Sequence, residues 1–255
     1  EILNTRQNYY HKPQFSLRDF WTINENFYVS NILYMSIGKG GGTRSEGIGI
    51  DENGQQDLQS SYNGNRWIQN SLGEYLSGSY IKSLVNNHYW YGGLSTLNYQ
   101  TNKNLSMSGG LDMRYYRGEH YGQVYDLLGG DYAISIDNAT QTSNIKREGD
   151  VIDYHNDGLV KWAGVFSQVE YSNGVFSTFF NVSGSNSAYK RIDYFRKKDL
   201  VLEDTTIIGA LGTHPYFGEL VSDTLIVNGN IYTIDSPEAK TASTDWKWLR
   251  GYTIK

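Results

Sequence analysis

Three short Asn-rich turns alternate along this chain with three long polar stretches, and that alternation constrains the fold more than any other feature. The turns are Asn24-Glu25-Asn26, Thr101-Asn102-Lys103-Asn104 and Ser172-Asn173-Gly174. Asn and Gly reach the positive φ angles of tight hairpins, and Asn-Gly between β-type runs is the strongest short-range hairpin signal. The runs they join cover residues 14–23 and 27–38, 88–100 and 105–116, and 159–171 and 175–184. At about 10–13 residues they exceed the usual globular strand of about 5–6, and they are long enough to cross a bilayer at a tilt. The long stretches are 39–87, 117–158 and 185–250. Short turns on one rim and long loops on the other suit a membrane β-barrel. A soluble sandwich spreads its loop lengths more evenly.

Residues 105–116 give the cleanest test of two-sided character. Leu105, Met107, Leu111, Met113 and Tyr115 alternate with Ser106, Ser108, Asp112, Arg114 and Tyr116, so one face is apolar and the other mostly polar. The split is blurred in 159–171 by Trp162 and Phe166. Aromatics gather near run ends, as Tyr89, Trp90, Tyr91 and Tyr99 do beside Tyr115 and Tyr116, which suits interfacial girdles. No apolar run approaches the length of a membrane helix, but alternating barrel strands escape that criterion. The expected fold is all-β: an antiparallel meander forming part of a transmembrane β-barrel, with long extracellular loops.

Composition removes several classes. Aromatics make up 15% of the chain, too many for a disordered segment. A net charge of −5 argues against a duplex nucleic-acid partner. With no cysteine there is no disulfide framework, thiolate metal site or Cys nucleophile. No G-x-S-x-G and no phosphate-binding Gly-rich loop occurs, so no catalytic residue is assigned and an enzyme is not expected. The start Glu1-Ile2-Leu3-Asn4 and the end Gly251-Tyr252-Thr253-Ile254-Lys255 both read as cuts through a longer chain.

Local order is expected inside the long stretches. Ile68, Leu72, Tyr75 and Leu76 predict a short helix over 66–76. Residues 124–128 followed by Gly129-Gly130 read as one helical turn with a glycine stop. Residues 225–232 read as a small hairpin around Asn228-Gly229, and Gly40-Gly41-Gly42 as a flexible loop start.

Four segments carry a family resemblance: QNYYHKPQFSL at 7–17, NNHYWYGGLSTLNY at 86–99, GGLDMRYYRGEHYGQVYDLLGG at 109–130, and DYHNDGLVKWAGVFSQVEYSNGVFSTFFNVSGSNSAYKRIDYF at 153–195. Together they resemble TonB-dependent outer-membrane receptors of the Bacteroidetes type, and TDWKWLRGYTIK at 244–255 looks like the return from a loop into a further barrel strand. The resemblance implies a large barrel filled by an N-terminal plug, in the outer membrane of a Gram-negative bacterium. Its implied partners are the TonB complex, outer-membrane lipid and a nutrient substrate, with no cofactor. Neither plug nor TonB box is present here. The expectation is that residues 1–255 form a middle section of about six to seven strands. The alternative readings are a secreted β-sandwich carbohydrate-binding module, stacking Tyr and Trp on sugar rings, and a glycan-active β-propeller.

Candidate site residues are few. Asp112 and Arg114 share one strand face, where a barrel places its lumen; there they pair with each other or contact substrate. Asp153-Tyr154-His155-Asn156-Asp157-Gly158 echoes a calcium loop, with Asp153 and Asp157 as ligands. His155 suits a hard cation poorly and no downstream Glu completes the loop, so a polar loop entering a strand is the expectation. Glu119-His120 and His214 lack metal-ligand spacing, and Arg196-Lys197-Lys198 reads as a solvated loop face.

Overall fold

The computed structural model describes residues 4–216 and 219–254, so the readings at residues 1–3 and at Lys255 lie outside the described residues. Strand takes 66% of the chain and helix 3%. In chain order the strands are β1 (Asn8–His11), β2 (Gln14–Asn24), β3 (Phe27–Glu46), β4 (Tyr80–Asn102) and β5 (Leu105–Asp126). Next come β6 (Ala133–Ile134), β7 (Ile145–Lys146), β8 (Val151–Ser172), β9 (Ser177–Asp193), β10 (Lys198–Val201) and β11 (Thr206–Leu211). The last are β12 (Thr213–Tyr216), β13 (Glu219–Ser222), β14 (Leu225–Val227), β15 (Asn230–Tyr232), β16 (Ala239–Lys240) and β17 (Lys247–Ile254). A helix, α1 (Leu58–Gly64), lies between β3 and β4.

Eight strands form one antiparallel sheet in the order β1-β3-β4-β5-β8-β9-β17, with β2 also pairing β3. β1 and β2 hold a single register against β3, from Asn8↔Gly42 to Gln14↔Ser36, and break only around Pro13. Proline has no N–H to give a ladder and is tolerated on an edge strand. Among the described residues the sheet is open, bounded by the β1/β2 line on one side and β17 on the other. Phe27↔Tyr99, Tyr99↔Met107, Met107↔Val169 and Val169↔Phe180 form one row beside all three short turns. The turns therefore share one end of the sheet and the long connections share the other.

The strands reach well into the stretches expected as loops. β3, β4, β5 and β8 are 20, 23, 22 and 22 residues long. Polar residues and glycines on both faces hide the period-2 signal there, yet the backbone ladder continues. Gly40, Gly41 and Gly42 are part of this correction: they pair with Tyr10, Tyr9 and Asn8 inside β3, and a Cβ at Gly40 would collide with the Tyr10 ring. The helix is also displaced. Asp57 caps α1 by accepting from the Ser60 amide at 2.9 Å and its hydroxyl at 2.6 Å. Over 66–76, Asn70 Oδ1 instead takes the amides of Leu72 and Glu74, and Gly73 at φ +80° turns the chain. Trp67 and Leu72 stay exposed, so the apolar spacing packs no helix. The expected turn at 124–128 is strand through Asp126, and Leu128 and Gly129 have positive φ. The 225–232 hairpin forms as β14 and β15.

Buried clusters lie at the long-loop end. Val124, Leu127, Ala133 and Ile152 pack together where β5 and β8 leave the sheet. Leu200, Leu211 and Ile234 form a second small core within the last loop. Asn65, 2% exposed, ties the first loop to the second. Its Nδ2 donates to the carbonyls of Ser79 (2.6 Å), Leu127 (3.1 Å) and Leu128 (3.1 Å), and its Oδ1 accepts from the amides of Gly78 and Ser79.

Candidate functional site

Paired residues in adjacent strands share a face, so the register sorts every side chain of the sheet. One face carries the row Leu17–Leu33–Gly93–Met113–Ala163 and the row Trp21–Val29–Leu97–Gly109, with Leu111, Val165, Phe180 and Val182 between. Leu17 (67%), Leu33 (60%), Met113 (50%) and Val165 (58%) are exposed although large and apolar. Aromatics border this band. Phe27 and Tyr99 meet edge-on at 6.2 Å beside the turns, and Tyr91 and Tyr115 stack at 6.4 Å further up. Polar residues interrupt the band in two places: Asp19, Asn31 and Ser95 near the β2 edge, which satisfy one another by hydrogen bonds, and Asn186 with Arg250 toward β17, where the Leu33–Met113 row ends.

The opposite face is more polar, although Phe20, Phe179 and Leu249 are exposed on it. Asp112 and Arg114 both lie on it, as the alternation requires. Arg114 Nε donates to Asp112 Oδ1 at 3.1 Å and its NH2 to Oδ2, a bidentate pair. The guanidinium also lies 4.8 Å from the Trp162 ring. Asp112 is buried and Arg114 half-exposed, so the pair presents an oriented cation to the space above the sheet. Large rings lie flat beside it because glycines make room: Trp162 over Gly164, Phe166 over Gly110 and Tyr34 over Gly92. Toward the turns, one hollow of about 610 Å³ is lined by Thr22, Tyr28, Asn98, Ser108 and Gln168, one residue from each of five adjacent strands.

The Asp153–Gly158 segment is strand, not loop. Asp153 sits in a bulge with φ 62°. Its carboxylate bonds Lys82 Nζ at 2.8 Å, and Lys82 also bonds Glu46 at 2.7 Å. Burial works against the Lys82 charge, but the bonds to Asp153 and Glu46 outweigh it and raise the pKa. Asp157 lies four residues further along extended chain, on the order of 13 Å away, and takes Arg117 instead, at 2.9 Å. Asp153 and Asp157 therefore do not share an ion.

The remaining candidates are engaged locally. His120 bonds Asn86 at 2.6 Å, and His214 lies 3.3 Å from Asp223. Lys197 is paired with Asp223, and Lys198 donates to the Ile234 carbonyl. Trp162 as the platform for Arg114 was missed in the sequence, because the loop between β5 and β8 leaves their register unspecified. No protein-family model matches the chain, and neither does any curated protein or solved structure.

Proposed function

We propose that the chain is a wall section of a TonB-dependent outer-membrane receptor that binds and imports a nutrient. The observation that carries this reading is the uncovered apolar face of a seven-position antiparallel meander. From Leu105 to Tyr115, eleven residues of β5, the band matches the roughly 9–11 that a tilted membrane strand needs. Aromatic borders, a more polar reverse face and turns gathered at one end complete the barrel pattern. A β-sandwich would bury such a face against a second sheet; among the described residues none covers it. In this reading the apolar band meets lipid, the Asp112–Arg114 face lines the lumen, and the long loops capture substrate outside the cell. The TonB complex would act through a plug elsewhere in the protein.

Residues 1–255 hold no cysteine, so each introduced thiol is unique within this section. Single cysteines replacing Met107, Leu111 or Met113 in the full-length protein should resist a water-soluble maleimide in outer-membrane vesicles. Cysteines replacing Ser106 or Ser108 should react. Equal reaction on both faces, or recovery of the protein from the soluble fraction without detergent, rejects the reading.

A further inference from the structure

We propose that Glu119, His155 and Asp157 form a binding site for a divalent cation of the zinc class, at the loop end of β5 and β8. The register brings them together: Glu119 pairs with Asp157, and Tyr121 with His155, so all three side chains lie on one face. One ligand atom from each falls within 4.8 Å of the others.

Each carboxylate has one oxygen tied down and the other left over. Glu119 Oε2 accepts from Asn87 Nδ2 at 2.9 Å. Asp157 Oδ2 accepts from Arg117 Nε at 2.9 Å and from the Tyr194 hydroxyl at 3.0 Å. Asp157 Oδ1 has no hydrogen-bond partner, although the residue is only 2% exposed. His155 Nε2 is buried without a hydrogen bond as well. Its ring is held by Tyr194 at 4.4 Å and Tyr121 at 5.4 Å. Buried polar atoms normally find partners, and two orphans on residues of one cluster point to a missing one.

Distance and charge identify that partner. Nε2 of His155 lies 3.6 Å from Glu119 Oε1. That is too long for a hydrogen bond, but close to the roughly 3.3 Å between ligands bound tetrahedrally at about 2.0–2.1 Å. One imidazole and two carboxylates suit zinc-class ions better than calcium or magnesium, which take sets of oxygens. Two carboxylates against Arg117 leave a net negative pocket when His155 is neutral. Asn87, Arg117 and Tyr194 hold the ligands from behind, as supporting residues do around metal centres. Three protein ligands leave a fourth position for water. The site stands apart from the barrel reading and survives its failure.

The test is titration of the purified, chelator-stripped full-length protein with Zn²⁺ alone, against a chromogenic competitor. One equivalent should bind. Glu119→Gln and His155→Gln should each weaken binding by roughly tenfold or more, whereas His120→Gln, on the opposite face, should leave it unchanged. Co²⁺ added to the unmutated protein should give the intense visible bands of a tetrahedral site, which keeps the proposal testable if a variant misfolds. No saturable Zn²⁺ uptake overturns the site. So does affinity unaltered by both substitutions.

Discussion

Leu111 and Asp112 are adjacent in the chain and face opposite sides of the sheet: Leu111 lies between Ser95 and Val165, Asp112 between Leu94 and Gly164. Leu111 is 39% exposed in an apolar band, whereas Asp112 is 9% exposed and bound to Arg114. If lipid covers the Leu111 side, a charge there costs about 2–4 kcal/mol at mid-bilayer. Leu111→Arg in the full-length protein should therefore impair assembly, measured as the folded fraction on a heat-modifiability gel. Ser108→Arg, facing the polar hollow, should assemble nearly normally. Equal yields would count against the lipid assignment.

Arg114 owes its direction to Asp112 and Trp162. Removing the carboxylate by Asp112→Ala strips a bidentate partner from a half-exposed cation, so the coupling in a double-mutant cycle with Arg114→Ala should be modest, about 1 kcal/mol or less. Denaturant unfolding of the refolded protein measures it. A coupling of several kcal/mol would mean that the pair is shielded from water far more than its exposure indicates.

How much of this was legible in the sequence depends on what each feature rests on. The hairpins, the shared turn end and the opposed faces of 105–116 follow from turn chemistry and a period of two, both of them local. The pattern understates strand length because residues such as Gly118, Gly122 and Gly40 break the alternation while the hydrogen-bond ladder runs on, Gly40 against Tyr10. Trp162 and Phe166 blurred a face that the structure resolves, since both rings lie over glycines on the polar side. The Glu119–Asp157 pairing was out of reach. It depends on the register of two strands joined by a long connection, and no local rule supplies that.

Asn65 is the joint between the first two loops. Asn65→Ala removes three donated bonds and two accepted ones from a buried position. Each backbone group left unmatched costs about 1–3 kcal/mol. The sheet ladder does not pass through these contacts, so the loss should appear as local opening. Hydrogen exchange at Gly78 and Ser79 should accelerate by at least tenfold, while amides of β5 keep their protection.

The Asp223 carboxyl is held below the usual carboxylate range, chiefly by the hydrogen bond from Lys197; burial opposes this, and the Lys197 and His214 charges add to it. A depressed folded-state pKa contributes stability above the unfolded value of about 3.9, and that contribution is lost as pH falls through the folded value. Protease resistance of the last loop should therefore decline below about pH 4, and Asp223→Asn should flatten the decline. A wild-type profile identical to that of the variant would remove Asp223 from the account.

The last loop carries its own core. Leu200 and Leu211 are fully buried, packed with Ile234 and flanked by Leu225, Val227 and Tyr232. β10, β11 and β16 form a separate three-stranded sheet around them, hydrogen-bonded to none of the long strands. Leu200→Ala should cost about 2–5 kcal/mol through lost burial and the cavity left behind, and a cluster this small has little stability to spare. Because the main sheet shares no ladder with it, the module should unfold alone. Limited proteolysis should then cut within residues 198–240 at a protease dose that leaves the wild-type loop whole, while the remaining strands stay resistant. Cleavage spreading at the same dose into β5 or β8 would show that the last loop and the main sheet fold as one unit.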